Sequence, residues 1–500
     1  MTTTGVGSDV SDEEYVIPTN RKRQKLETSG DVVINSDLPA SSHYLETVNV
    51  NDLNFDYDKI CSVTLSDVNV YCCLCCGKYF QGRSKQSPAY LHSVNNDHHV
   101  FINMESLKVF ILPENKEICI VENGSSSNSG IKVIDNIRYA IDPKYTLKDL
   151  KHPQTVSVTA DGKRYSTGFI GLNSYTKNNL INVVFQILSH IPAVRDYYLL
   201  EKEKENGNSE LSKRFGLIVR KIWSPRLFRN HVAAHEFVVA VEKEKTYSSI
   251  FDKMVKTTAI SPGKFLDLVL IVLDRQMSKK SKSIFSKTFQ GKVQVTSIPL
   301  VSQRDEQSNT VQEVPDSSLK RETISRFWNL TLDIPPIATT SSERAEIPQV
   351  KLESLLAKYN GITTKTITTA SSGNHLVSYK LIKLPHYLIF DICRNAEVAT
   401  ISSKNKYNAT VVTFPITLDM SPYFNTPEET LIYDLVSTVK RTSTDSSETD
   451  DSLEKHEWTV RLQKDETEWV AISDLIVEQA ERELMFLDEN YLMVWKRRRV

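Results

Sequence analysis

Five of the seven cysteines, Cys61, Cys72, Cys73, Cys75 and Cys76, fall within sixteen residues, and His92, His98 and His99 follow shortly after. Cys119 and Cys393 lie apart from this cluster, and Cys393, in an apolar run, reads as a packed core thiol. A stretch this dense in thiols and imidazoles folds around either disulfides or a metal. The opening segment, MTTTGVGSDVSDEEYV, is polar and acidic and lacks a secretory pattern, so a reducing compartment and a metal are expected. Cys73 and Cys76 form C-x2-C; His92 comes after fifteen intervening residues and His98 after five more. That is close to the spacing of a tetrahedral zinc site. Cys72 and Cys75 offer a shifted pair, and His99 stands beside His98 as an alternative. Cys73 and Cys76 are preferred because Gly77 follows directly and permits a tight knuckle turn. Four protein ligands leave no open coordination position, so one structural Zn2+ is expected.

The 500 residues are 40% hydrophobic, enough for one large core and a smaller one. Lys+Arg number 61 against 62 Asp+Glu, a net charge of −1, which excludes a protein that works mainly by coating nucleic acid. The most apolar long run, Phe265 to Leu273, is about half a bilayer span and contains Asp267, so no membrane segment is expected. Residues 1–40 read as disordered and carry a basic cluster, Arg21-Lys22-Arg23-Gln24-Lys25, of the kind that serves as a nuclear import signal. Residues 41–145 form a compact region holding the Cys/His cluster, 146–165 a connector, and 166–500 a large domain. Polar inserts at about 278–284, 303–321 and 441–454 are expected to be mobile. Within the large domain, Asn178 to Leu188 reads as an amphipathic helix with Asn178 as its N-cap, and Phe265 to Arg275 as a second helix. Strands are expected after Pro385, over Trp458–Leu462 and over Trp469–Ile472.

Cys76 to Met104, with its CGKYFQGR, AYLHSV and HHVFINM segments, resembles the UBP-type zinc finger of ubiquitin-specific proteases. The large domain carries further boxes in family order. Gly171-Leu172-Asn173-Ser174 through Asn182-Val183-Val184-Phe185-Gln186 resembles the opening box of those proteases. Leu384-Pro385-His386-Tyr387-Leu388, Phe414-Pro415-Ile416-Thr417-Leu418-Asp419 and Tyr433-Asp434-Leu435 resemble later ones. The resemblance covers roughly residues 41–500. It implies an α+β fold, a small UBP-type finger followed by a papain-like ubiquitin-specific-protease domain.

A thiol protease needs a thiolate, a base and a group that orients the base. Alignment on Asn182 and Gln186 places Asn179 at the nucleophile position and Lys177 at the oxyanion-hole position. Glu457 falls at the base position, with His456 one residue out of register, and Ser473 at the orienting position, with Asp474 beside it. No catalytic residue is therefore expected. The paired C-x-x-C knuckles of the protease fingers are also missing, so a second zinc is not expected. A UBP finger joined to an inactive protease domain resembles the U4/U6.U5 tri-snRNP-associated splicing factors, the snRNP-assembly-defective family. That resemblance implies a nuclear, non-catalytic scaffold or assembly factor whose partners are spliceosomal tri-snRNP proteins. RNA contact ranks second, through Lys279–Lys282 and the tail Lys496–Arg499. A ubiquitin-binding module without catalysis and a residual deubiquitinase remain as alternatives. Ubiquitin binding is disfavoured because Lys78 stands where ubiquitin-binding fingers carry an Arg, losing the bidentate fork for a carboxylate.

Overall fold

Residues alternate across a β-strand, and in the N-terminal module that alternation sorts the cysteines. The computed structural model describes residues 43–498 except 57, 119–128, 161, 175–178, 201–208, 245–248, 250–260, 278–282, 305–310, 337–347, 370–372, 395–407, 425–430 and 443–456. The basic cluster at Arg21–Lys25 and residues Lys177, Asn178, Lys279–Lys282, His456 and Arg499 lie outside these. The module begins with β1 (Val70–Cys73) and β2 (Tyr79–Gln81), followed by helix α1 (Pro88–Asn96). Strands β3 (Val100–Asn103), β4 (Val109–Ile111) and β5 (Lys116–Ile118) complete an antiparallel sheet of order β2-β1-β3-β4-β5. Ser87 precedes α1 and Pro88 occupies its first turn, where a missing N–H costs nothing. Helix α2 (Ser129–Ile141) covers the opposite face from α1, packing Ile134, Ile137 and Ile141 against Cys72, Leu74 and Ile102. The α1 face holds Tyr71, Cys73, Phe80, Ala89 and Phe101.

The stretch expected as a connector is structured. Helix α3 (Leu147–Lys151) opens with a capping box between Thr146 and Asp149. Strands β6 (Val156–Val158) and β7 (Arg164–Ser166) then form a hairpin whose Tyr165 enters the large core. A helical layer follows, interrupted by the short parallel pair β8 (Gly171–Asn173) and β9 (His231–Ala233). Its helices are α4 (Leu180–Ser189), α5 (Pro192–Leu199), α6 (Glu210–Ile222), α7 (His235–Lys243), α8 (Pro262–Gln276) and α9 (Ile284–Phe289). Every residue of α4 is buried, so the helix expected to be amphipathic has no solvent face, and its polar Asn182 and Gln186 donate instead to Leu172 O and Ile170 O. At about 1.5–3 kcal/mol per large apolar side chain, this burial fixes its place at the centre of the domain. Helix α4 begins one residue later than the sequence suggests: Asn179, not Asn178, occupies the cap position.

Two sheets make up most of the remainder. Strand β10 (Gly291–Arg304) pairs with β11 (Val311–Pro315) and β12 (Arg321–Phe327), and β16 (Gly373–Lys383) joins it to β15 (Asn360–Thr369). Part of the insert expected to be mobile at 303–321 is thus paired strand: Val311–Pro315 lies against Leu300–Arg304. Likewise Ser283 and Ile284 begin α9 rather than a loose loop, and Arg441 and Thr442 end a paired strand. The larger sheet runs β13 (Leu330–Asp333), β17 (Tyr387–Cys393), β24 (Asn490–Arg497), β20 (Ile432–Thr442), β21 (Glu457–Gln463), β22 (Trp469–Ser473) and β23 (Ile476–Ala480), with β19 (Thr417–Asp419) alongside β20. A short parallel pair, β14 (Gln349–Lys351) and β18 (Val411–Thr413), stands beside it. Both faces of the large sheet's centre are buried. Tyr387 and Ile389 meet the helical layer, while Leu388, Phe390 and Ile392 enter a second core capped by α10 (Leu352–Leu356). Such double burial explains the near-continuous apolar run of β17.

Ion pairs and a hydrogen bond join the N-terminal module to the helical layer. Lys59 Nζ lies 2.8 Å from Glu236, Lys221 Nζ 3.4 Å from Asp56, and His235 Nε2 2.9 Å from Asp58. Arg214 completes a second bond to Glu236 at 2.6 Å. Burial of Glu236 opposes its ionisation, but Lys59, Lys221 and Arg214 together hold its carboxyl down to about 2.

Candidate functional site

The Cys/His cluster is built by β1, the knuckle after it, α1 and the loop before β3. Alternation along β1 sends Cys73 to the α1 face and Cys72 to the α2 face, which separates the two possible C-x-x-C pairs. Burial pushes the Cys72 thiol well above its ordinary value, as befits a neutral core thiol. After Cys76 the chain turns at Gly77, whose φ is +71° and whose N–H reaches Cys73 O at 2.9 Å. A Cβ there would collide with the carbonyl of Asp52, so only glycine closes this knuckle. His92 extends from α1 and stacks on Phe80, the ring centroids 4.2 Å apart. His98 follows α1 after Asp97 takes the left-handed conformation that ends the helix.

The four ligand atoms of Cys73, Cys76, His92 and His98 lie within 4.8 Å of one another. Cys73 Sγ is 3.6 Å from His98 Nδ1, Cys76 Sγ 3.5 Å from His92 Nε2, and the two ring nitrogens 3.1 Å apart. Zinc–sulfur and zinc–nitrogen bonds of about 2.3 and 2.05 Å at a tetrahedral angle place sulfur and nitrogen roughly 3.6 Å apart, so this donor set fits zinc. Hydrogen bonding to Cys75 and Cys76 pushes the Cys73 thiol up, while the bond to Cys73 holds Cys76 down to about 4. His99 is engaged elsewhere: Nδ1 donates to Leu112 O at 2.7 Å, and Nε2 lies 2.8 Å from Asp97. Cys75 points to Thr47 Oγ1 at 3.3 Å. Lys78 is exposed.

The second site lies where α4 meets the large sheet. Asn179 is buried, and its side-chain amide pairs with both backbone polar groups of one residue of β21, Trp458. Nδ2 donates to Trp458 O and Oδ1 accepts from Trp458 N, both at 2.8 Å. Ser473 Oγ donates to the same carbonyl at 3.3 Å. Glu457 opens β21 beside that residue and by strand alternation faces away from the buried Trp458 ring. The positions aligned with nucleophile, base and orienting group are therefore adjacent in space, joined through the backbone of Trp458. Asp474 turns away from them: φ is +49°, and its carboxylate accepts from Asn182 Nδ2 at 2.9 Å and Ser174 Oγ at 3.1 Å. Its carbonyl receives Leu172 N–H at 2.9 Å. The β22–β23 turn packs so closely on β8 that a Cβ at Gly171 would sit 2.7 Å from Leu475 Cα. Sequence reasoning missed this Asn182–Asp474–Ser174 bracket. Ser174 and Asn182 share the opening box, but spacing along the chain pairs neither of them with residue 474. Cys393, read from sequence as a packed core thiol, is half-buried at the end of β17.

A family model described as "Ubiquitin carboxyl-terminal hydrolase" matches residues 170–495, and one described as "Zn-finger in ubiquitin-hydrolases and other protein" matches residues 61–122. The chain is 35% identical over 480 residues to mouse (Mus musculus) "Ubiquitin carboxyl-terminal hydrolase 39", covering 91% of this chain and 80% of that protein. It is 31% identical over 457 residues to "Pre-mRNA-splicing factor SAD1" of Saccharomyces cerevisiae, covering 91% and 93% respectively. A solved structure described as "Crystal structure of an essential yeast splicing factor" superposes with a TM-score of 0.69 at 28% identity, over 91% of this chain and 100% of that one.

Proposed function

The chain belongs to the ubiquitin carboxyl-terminal hydrolase family, and from that premise we propose that it is a non-catalytic member that works in pre-mRNA splicing as a scaffold, assembly or stability factor of the U4/U6.U5 tri-snRNP. One observation carries the loss of catalysis: the nucleophile position holds Asn179, and its amide is committed to the backbone N–H and C=O of Trp458. An amide supplies no thiolate. Glu457 replaces the imidazole base, and a carboxylate serves as a base near neutral pH only after a large upward shift. What remains is a rigid junction between helix and sheet, which suits a docking fold. Similarity to a protein named as a splicing factor along nine-tenths of the chain supports the splicing role.

The reading includes a domain plan: an N-terminal segment over 1–40 that carries the basic cluster, a finger over 41–145, a structured connector over 146–165, and a degenerate protease domain over 166–500. In the finger, Cys73, Cys76, His92 and His98 would hold one structural Zn2+. Bound there, the ion supplies folding free energy rather than Lewis-acid chemistry, because four protein ligands fill its coordination shell. The knuckle and α1 bring the four donors together, and Phe80 orients the His92 ring. The principal partners are tri-snRNP proteins, with entry to the nucleus directed by Arg21–Lys25. Ubiquitin is a poor partner in this account, since Lys78 presents a point charge where a carboxylate clamp needs a fork.

Depletion of the protein tests the reading. Intact tri-snRNP and spliced message should fall while bulk ubiquitin conjugates stay constant. Normal splicing with conjugates raised on particular substrates would replace this account with a ubiquitin-pathway role.

A further inference from the structure

A depression of about 900 Å³ lies between the C-terminal end of α8, α9 and the roots of β10, β12 and β16. In the sheet register Lys292 of β10 stands directly opposite Arg326 of β12 on one side and Lys383 of β16 on the other. Val293 next to Lys292 is buried, so Lys292 and its two partners project from the outer face. With strands about 4.8 Å apart, three cations stand in one row across three strands. Like charges directly opposite one another destabilise a sheet, so folding alone gives no reason for this row. The β10–β16 register also shifts at Lys292, an irregularity of the kind that re-aims a side chain. Arg275 on α8 and Lys287 on α9 face the same depression. All five cations are exposed, and none has an ion-pair partner among the described residues. Asp274 is the single acid of the described lining, and it accepts a hydrogen bond from Ser283 Oγ.

We propose that this depression binds the phosphodiester backbone of RNA. Its lining favours a phosphate backbone over a protein. Among the described residues Met277 is the only apolar side chain there, whereas protein interfaces anchor on apolar or aromatic groups seated in pockets. The described lining holds no Phe, Tyr or Trp on which bases could stack, so contact is through charge and through hydroxyl and amide groups such as Ser286 and Gln290. The site is far from the Asn179 junction. His386 O, in its lining, accepts from Arg497 N at one end of the large sheet, while Asn490 and Thr459 both pair with Lys440 at the other, roughly 20 Å of strand away. The local charge is compatible with a chain of net charge −1, because the row is a patch and not a property of the whole surface. The choice of RNA as the source of the phosphodiester rests on the splicing reading.

The test uses the full chain and a 20-nucleotide single-stranded RNA of mixed sequence, followed by fluorescence anisotropy across a salt series. Neutralising about five phosphates gives a slope of log K against log salt of roughly −3.5 for a single strand. The triple variant K292E/R326E/K383E should bind at least about tenfold more weakly and lose about 2 from that slope. K292Q/R326Q/K383Q should fall between; the Glu variant should melt with the unmodified protein and the Gln variant no lower, because all three side chains are solvent-exposed and the Gln row carries no like-charge repulsion. Variants that bind RNA as the unmodified protein does, or an unmodified protein with no saturable RNA binding, would overturn the proposal. So would tighter binding of a 20-residue poly-glutamate peptide, which would mark an acidic protein partner, or of duplex DNA. The depletion experiment judges the splicing role separately, so failure here and failure there are told apart.

Discussion

Replacing Asn179 with alanine removes both hydrogen bonds that hold α4 to β21. Trp458 N–H loses its amide partner in a buried site, at a cost of about 1–3 kcal/mol for an unsatisfied donor. Trp458 O loses the 2.8 Å bond from Nδ2 but keeps Ser473 Oγ at 3.3 Å, so its share is about 1 kcal/mol. The expected destabilisation is about 2–4 kcal/mol. A domain of about 330 residues has an unfolding entropy near 0.7 kcal/mol/K, so its Tm should fall by roughly 3–6 °C. Asn179→Asp should cost at least as much, because a carboxylate oxygen would replace the donor that faces Trp458 O. Ser473→Ala removes only the longer bond and should cost less than either. Differential scanning calorimetry of the three variants beside the unmodified protein decides the matter. A Tm change below about 1 °C for Asn179→Ala, or an equal loss for Ser473→Ala, would refute the view that this amide is the staple between helix and sheet.

Cys73→Ser should release zinc and unfold the finger while the large domain keeps its own transition, as read by metal analysis and by proteolysis around residues 60–105; zinc-finger peptides draw on the order of 10–16 kcal/mol from the ion. Asp267→Asn should stabilise the protein at pH 8 and leave it unchanged at pH 4. Burial and then the neighbouring Asp391 push Asp267 up to about 7, so the stability it contributes is complete below the unfolded value near 4 and is lost as pH rises through 7. Denaturant midpoints measured at the two pH values check the sign. Glu236→Gln breaks the charged seat between finger and helical layer and should lower the finger's transition, by about 3 kcal/mol for a buried pair that loses one member. In the unmodified protein that seat's contribution is present above the unfolded value of about 4.5 and should be lost as pH falls towards 2.

Where the sequence patterning is local, the structure follows it. The apolar run from Leu180 to Leu188 is a buried helix, the run after Pro385 is a central strand, and C-x2-C followed by two histidines converges on one point. Gly77 is the local reason to prefer Cys73/Cys76 over Cys72/Cys75, and strand alternation in β1 adds another: Cys72 faces the α2 layer, away from Cys73, Cys75 and Cys76. Other features depend on residues far apart in the chain. The bond between Asn179 and Trp458 joins positions 279 apart, and no periodicity announces it. The row Arg326–Lys292–Lys383 exists only once three strands are in register; along the chain these are isolated charges. Within the insert at 303–321, Val311–Pro315 departs from the expectation because polarity suggests mobility, whereas an exposed edge strand such as β11 is polar for the same reason, being in contact with water on its faces.

The central claim is that a protease fold persists here without protease chemistry, and turnover of a fluorogenic ubiquitin C-terminal substrate measures this most directly. The unmodified protein at micromolar concentration and near-neutral pH should release fluorophore no faster than buffer. Asn179→Cys should do no better, because Glu457 offers no imidazole to deprotonate the thiol. Saturable turnover by the unmodified protein, abolished by substitution within the α4–β21 junction, would contradict the account.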